Sequence, residues 1–241
     1  MTRRRQSGTT LLELLIAVTL VSLLSVGIMT AMRVGLTAMS KTNDKLLANR
    51  RIASVQRIIE SQVAGLMPMS ADCQANPAMP FGFFEGRSDE MRFVSSYSLQ
   101  EAARGYPRVL EYRVIPGERG EGVRLIVNEL FYTGPSSPGL LCLGFDADPE
   151  SGSVVPRMRP VEPGPGSFVI ADRLAYCHIL YRELLPPPGV ERWMPEWRRS
   201  RLPSAIRIEM APLAPDPSRL QVSTITLPVR VNKWIGSDYV D

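Results

Sequence analysis

The chain has 241 residues, 44% hydrophobic and 22% charged, which is enough apolar material for a sizeable core and excludes global disorder. Its 28 Lys and Arg against 24 Asp and Glu give a net charge of +4; three of those charges are Arg3, Arg4 and Arg5, so the remainder is nearly balanced and leaves no basic footprint for a nucleic acid. Three Cys in this length exclude a disulfide-dense scaffold and permit one bridge with a thiol left over.

The first eight residues, MTRRRQSG, are polar and basic, and the 24 residues from Thr9 to Met32 carry a single ionisable group, Glu13. As a helix this segment would extend about 36 Å, enough to cross a hydrocarbon core of about 30 Å with some tilt. Arg3, Arg4 and Arg5 should hold the N-terminus in the cytoplasm and send the rest of the chain across the membrane. A disposable secretory signal is a poorer account, because the apolar run continues well past Glu13 with no A-x-A-like site close behind it. A plain anchor or a buried core helix leaves Glu13 unexplained. A carboxylate near the centre of a span costs about 2.5–3.5 kcal/mol, less towards its end, so Glu13 calls for a positive partner.

The stretch SGTTLLELLIAVTLVSLLSVG resembles the N-terminal motif of type IV pilins and type II secretion pseudopilins. In that family a basic leader ends in Gly, matching Gly8, and the fifth residue after it is Glu, matching Glu13. The resemblance implies that a prepilin peptidase cuts between Gly8 and Thr9 and that the new amine of Thr9 is methylated. Thr9 stands where the family usually has an aromatic residue or Met, and Ser7 where a basic residue often precedes the Gly. Physically, cleavage places an α-amino cation one helical turn from Glu13, both in apolar surroundings. Pairing one subunit's amine with its neighbour's Glu neutralises two charges that are costly to bury separately and sets the axial stagger of a filament.

Beyond Met32 no Pro occurs before Pro68, and Ile52, Val55, Ile59, Val63 and Leu66 recur at spacings of three and four, so the helix should continue to about residue 65. Its charged residues, Lys41 and Arg57 among them, fall on other faces and read as a solvated surface. Residues 67–90, rich in Pro, Met and Gly, read as a surface loop. The period then changes to two: 91–98, 108–115, 123–132, 168–184, 205–213 and 221–231 read as strands, the second and third forming an antiparallel hairpin across PGERGEG. One long helix and six strand candidates predict an α+β fold with the helix lying across antiparallel sheet. With the family resemblance, the expected plan is a leader over 1–8, a transmembrane helix over 9–32, its amphipathic continuation over 33–66 and a β-rich periplasmic domain of pilin-like fold over 67–241.

The segment from about 170 to 232 is similar to the signature of the J-type minor pseudopilins of type II secretion: a strand carrying Tyr181, the pair Trp193 and Trp197, the step Leu202–Pro203, and alternating apolar residues from Ala205 through Ile206 and Ile208. Read physically, the Trp pair is a hydrophobic plug over a sheet edge. Chemistry-bearing motifs are scarce. The lone His178 in a strand reads as structural, no HExxH, G-x-S-x-G, G-x-G-x-x-G or Walker A pattern occurs, and only Lys41, Lys45 and Lys233 are lysines. Cys73, Cys142 and Cys177 lack a C-x-x-C spacing, and any two of them could form a bridge outside the cytoplasm. Asp146, Asp148 and Glu150 alternate but do not match an EF-hand loop, so a polar turn is expected, with no metal, cofactor, nucleic acid or small-molecule substrate.

These readings converge on a non-enzymatic minor pseudopilin of the bacterial inner membrane, single-pass, with a cytoplasmic N-terminus and a periplasmic C-terminal domain. The resemblance implies partners among the I-type and K-type minor pseudopilins, the major pseudopilin and the prepilin peptidase, at the tip of a fibre that supports protein export. A minor pilin priming a type IV pilus uses the same N-terminal chemistry and is the alternative. A membrane-anchored periplasmic enzyme or binding module is the more distant one.

Overall fold

The computed structural model describes residues 10–148, 152, 154–184, 191–199, 201–215, 221 and 223–231. Arg3, Arg4, Arg5, Gly8 and Thr9 lie outside the described residues, as does Glu150. The chain divides into two compact units, residues 1–50 and 51–241. Helix α1 (Leu11–Ala64) begins in the first and ends in the second.

Within the first unit α1 is uninterrupted, as the absence of Pro and the abundance of Leu, Ala and Met favour. Its large apolar side chains, from Leu11 and Leu12 through Met39 to Leu47, are all exposed. It is long and apolar enough to cross a membrane, the one such helix among the described residues. The hydroxyl groups along it turn back onto the helix: Thr19 donates to the Ile16 carbonyl at 2.9 Å, Ser22 to Val18 at 2.8 Å, Ser25 to Val21 at 2.8 Å and Thr30 to Val26 at 3.0 Å. Each is thereby satisfied without water, which is what an apolar surrounding demands.

The second unit carries the last turns of α1 and thirteen strands. In chain order these are β1 (Leu66–Met67), β2 (Ser70–Asp72), β3 (Pro80–Gly82), β4 (Phe84–Gly86), β5 (Glu90–Ser98), β6 (Ala103–Pro116) and β7 (Val123–Phe131). A short helix α2 (Ser136–Gly139) precedes β8 (Cys142–Ala147), β9 (Val154–Met158), β10 (Phe168–Leu184), β11 (Glu191–Met194), β12 (Ala205–Pro212) and β13 (Ile225–Pro228). The main sheet has nine strands in the order β1-β5-β6-β7-β10-β12-β13, with β4 on β5 and β11 on β10. All its pairings are antiparallel, including the expected β6–β7 hairpin, which holds one register from Arg108↔Phe131 to Pro116↔Val123. Two small sheets, β2–β3 and β8–β9, accompany it.

The two faces of the main sheet are both covered. Phe93, Leu110, Tyr112, Leu125 and Val127 share one buried cluster with Val55, Ile59 and Val63 of α1, the positions where period-3.6 spacing placed an apolar stripe. On the other face Val94 and Val109 pack with Ala71, Cys73, Phe83, Leu141, Cys142 and Met158. Burial on both faces explains why β5 is buried at six consecutive positions rather than at alternate ones.

Residues 67–90, expected as a surface loop, contribute four short strands and the buried side chains Ala71, Cys73, Phe83 and Phe84. Their Pro and Gly content set the strands' brevity, not their exposure. The last strand is shorter than the span expected for it, four residues ending at Pro228, which cannot donate to a ladder.

Candidate assembly site and its supporting core

The first turn of α1 is organised around Glu13. Its backbone N–H donates to the Thr10 carbonyl at 3.0 Å and to Thr10 Oγ1 at 3.4 Å, the Thr-x-x-Glu relation of a capping box. The Glu13 carboxylate lies in the first helical turn, where the positive end of the helix dipole favours it. Among the described residues it has no hydrogen-bond or ion-pair partner, although every large apolar neighbour on the helix is exposed.

At its other end α1 is fastened to the sheet by a buried polar joint that the apolar pattern did not reveal. Gln62, fully buried between Ile59 and Val63, donates from Nε2 to Glu129 Oε1 at 3.2 Å and accepts from the Tyr112 hydroxyl. Its backbone carbonyl accepts from Ser95 Oγ at 2.8 Å. Glu129 also accepts from Ser98 Oγ at 2.9 Å, so the joint ties α1 to β5, β6 and β7 at once. Burial, and then the neighbouring Glu129 charge, push the Tyr112 hydroxyl well above its ordinary pKa, so it stays a neutral donor to Gln62.

The signature residues near the C-terminus separate into distinct roles. Tyr181 is fully buried; its hydroxyl donates to the carbonyls of Arg87 at 3.0 Å and Glu90 at 3.3 Å, and its ring meets Phe84 edge-on with centroids 5.8 Å apart. Burial and the surrounding carboxylates raise its pKa well above the ordinary value. A Cβ on Gly86 would stand 2.6 Å from the Tyr181 ring, so only glycine permits this approach. Trp197 bridges to the same Gly86, donating its backbone N–H to the Gly86 carbonyl at 2.8 Å and its indole N–H to the Arg201 carbonyl at 2.7 Å. This bridge links β4 to the chain after β11, closing a ring of pairings through β5, β6, β7 and β10.

The two Trp residues therefore do not act as one plug. Trp197 is part of the main core, whereas Trp193 is half-buried under the Arg207 guanidinium, 3.8 Å from its ring centroid. Pro203 is buried and Leu202 packs partly against the core, leading into β12, where Ala205, Ile206 and Ile208 are buried.

A second polar cluster was hidden from sequence inspection because it sits inside a strand. Arg92 of β5 is fully buried and pairs with Glu90 at 2.8 Å, with Glu111 at 2.9 Å and with Glu85. It also donates to the Arg159 carbonyl. Arg113 reaches Glu90 at 3.3 Å and Arg87 reaches Glu85 at 3.2 Å, so three arginines balance three glutamates. Burial raises the Glu85 pKa even against the pull of Arg92. The desolvation that would lower the Arg92 pKa is outweighed by the three carboxylates, and the guanidinium is held charged.

Of the three cysteines, Cys73 and Cys142 form a disulfide, and Cys177 is free and buried, its thiol pushed up to about 12 by desolvation. His178 is exposed on β10 and stacks on Tyr176 with ring centroids 5.5 Å apart, opposite Glu209 of β12. Asp146 pairs with Arg157 at 3.5 Å and Asp148 with Arg198 at 3.2 Å, each turned towards arginine rather than towards the other. No group of three or more His, Cys, Asp or Glu suited to a metal ion occurs among the described residues.

The family model for the prokaryotic N-terminal methylation motif matches residues 3–29, a stretch that includes Gly8, Thr9 and Glu13. No curated protein matches the chain. The match supports a chain of the type IV pilin and pseudopilin kind, and the long apolar helix with a large antiparallel sheet domain is an α+β pilin-like architecture. Proteins of that kind are generally structural.

Proposed function

We propose that this protein is a minor pseudopilin of a type II secretion system. In this reading the prepilin peptidase cleaves between Gly8 and Thr9, the amine of Thr9 is methylated, and α1 anchors the chain in the inner membrane with its sheet domain in the periplasm. The mature chain then joins I-type and K-type minor pseudopilins and the major pseudopilin at the tip of a periplasmic fibre that supports protein export. The observation that carries the reading is the Glu13 carboxylate, without a partner among the described residues, in an exposed apolar helix within the matched methylation motif. The Cys73–Cys142 disulfide supports an oxidising compartment for the C-terminal unit. The signature from Tyr181 through Trp197 to Pro203 favours the J-type subunit over a pilus subunit.

The physical step is charge pairing across subunits. An amine and a carboxylate that are each costly in lipid become tolerable when one chain's Thr9 meets its neighbour's Glu13, and only one axial offset brings them together. Two substitutions separate this role from helix capping. Gln at position 13 retains a capping-box residue but not the charge, whereas Ala retains neither. Glu13→Gln and Glu13→Ala should both be inserted and cleaved, and both should lose crosslinking to the other minor subunits. Retained crosslinking in the Gln variant would refute charge pairing. The intact mass of the mature protein should correspond to loss of residues 1–8 and gain of one methyl group. Deletion of the gene should abolish export of folded exoproteins and leave surface pili intact; the reverse phenotype would assign the chain to a pilus.

A further inference from the structure

The second unit contains a cleft of about 680 Å³ that plays no part in the assembly chemistry above. One wall is the segment Pro80–Arg87, the other is β8 and β9, and the chain around Trp197 closes the end. Its apolar lining includes Phe81 and Phe145, which meet edge-on with centroids 5.8 Å apart, together with Val155 and Trp197. The volume is in the range of ligand sites, about 300–1,000 Å³.

The charge of the cleft is arranged asymmetrically. Arg199 and Arg201 both hold Glu183, at 3.3 and 2.9 Å, and Glu183 has a side chain only 6% exposed, against 32% and 49% for the two arginines. Arg87, 49% exposed, holds Glu85, 12% exposed, at 3.2 Å, and Glu85 is shared with the buried Arg92. In each case a buried carboxylate grips one edge of a guanidinium and fixes its position. The remaining N–H groups of Arg87, Arg199 and Arg201 have no other hydrogen bond among the described residues, and all three residues line the cleft. A guanidinium has five donors, so each of these retains capacity for a carboxylate. Two more exposed pairs in the lining, Arg157–Asp146 and Arg198–Glu196, balance each other's charge.

A second feature selects the kind of anion. β3 pairs only with β2 and β9 only with β8, so each has an edge without a strand partner among the described residues, and both strands line the cleft. Free strand edges offer alternating donors and acceptors to an extended backbone, while flanking pockets accept alternate side chains. We propose that this cleft binds an extended segment of another polypeptide in which carboxylate side chains alternate with bulky apolar ones. The carboxylates meet Arg87, Arg199 and Arg201, and the apolar residues fill the aromatic floor. This does not depend on the filament reading.

The test uses the full chain in detergent micelles and a fluorescent blocked peptide of alternating Glu and Phe, followed by polarisation. Saturable binding is expected, weakened about ten-fold or more when Lys replaces Glu in the peptide. Arg87→Gln combined with Arg201→Gln should weaken it to a similar degree; Glu183 keeps Arg199 and Glu85 keeps Arg92 in this variant, so the buried carboxylates remain paired. As a second readout on the unaltered protein, raising the salt from about 0.05 to about 0.5 M should also weaken binding several-fold. Equal binding of the Glu and Lys peptides would overturn the proposal, as would competition by inorganic phosphate at equal potency. Absence of peptide binding would overturn it too, including the case in which the double variant abolishes self-association and the cleft belongs to a second copy.

Discussion

The Cys73–Cys142 disulfide should be the largest single restraint on the second unit that can be removed without touching its core strands. The two residues are 69 apart in sequence and join the end of β2 to the start of β8. Closing a loop of that length in the unfolded chain corresponds to about 4 kcal/mol in the chain-entropy account. Both cysteines are buried in the cluster with Val94, Val109 and Met158, so the cross-link also holds the β8–β9 wall of the cleft against the main sheet. For a domain of this size that loss corresponds to a fall in the unfolding midpoint of about 10 °C. The assay is thermal unfolding of the full chain in micelles, comparing native protein with Cys73→Ala/Cys142→Ala and with reduced protein. Hydrogen exchange should report where the loosening occurs: amides of β8 and β9 should exchange faster, whereas those of β6 and β7 at the Tyr112–Val127 pair should change least. A shift under about 3 °C, or loosening concentrated in β6 and β7, would refute the reasoning.

Further predictions follow from the buried contacts. Gly86→Ala would drive a methyl group into the Tyr181 ring and should destabilise the unit by about 1–3 kcal/mol, measured by denaturant unfolding; Tyr181→Leu in the same background should recover part of that loss. Arg92→Met would leave Glu111 without a guanidinium and remove one of two from Glu85 and Glu90, and should cost about 3–5 kcal/mol at neutral pH, measured by denaturant unfolding. Glu85 has a raised pKa, so it binds its proton more tightly folded than unfolded; its stabilising contribution is full below the ordinary carboxyl range and is lost as pH rises through the raised value. Denaturant unfolding across pH should therefore show a shallower decline as pH rises above the ordinary carboxyl range in Glu85→Gln than in the unaltered protein. Cys177, buried with its thiol pushed up to about 12, should resist alkylation in the native protein at mildly alkaline pH and react fully in denaturant; labelling in the native state would contradict its placement in the core.

What sequence reasoning could reach was governed by how far a segment's own pattern controls its structure. The β6–β7 hairpin and the 17-residue β10 alternate strongly and are bounded by Pro and Gly, so their positions were legible. The short strands β2, β3, β8 and β9 are held by a disulfide and by docking onto the main sheet, neither of which leaves a local pattern. Cysteine pairing followed from topology, which places β2 beside β8, and the spacing of 73, 142 and 177 contains none of that. Gln62 lies outside the apolar stripe that the spacing of α1 picks out, and it is the polar centre of the helix–sheet joint. Arg92 is a charged residue inside a strand, and it is buried because that strand has both faces covered. Glu13 stood out for the opposite reason, since a carboxylate in a long apolar run has no local explanation at all.

The same rule connects these sites. Among the described residues the buried carboxylates Glu90, Glu111 and Glu183, and the half-buried Glu85, each pair with a guanidinium, because the interior charges an uncompensated anion heavily. Glu13 is the exception among the residues that lie in apolar sequence, and the chain itself supplies it with no partner among the described residues. The C-terminal unit solves the problem internally with arginine. The N-terminal helix has no Arg or Lys between Thr10 and Met32, and in the proposed filament the cation for Glu13 comes from a neighbouring subunit. In the proposed filament of like helices, each mature chain would present one amine and one carboxylate a turn apart, so that every chain would both give and receive that cation.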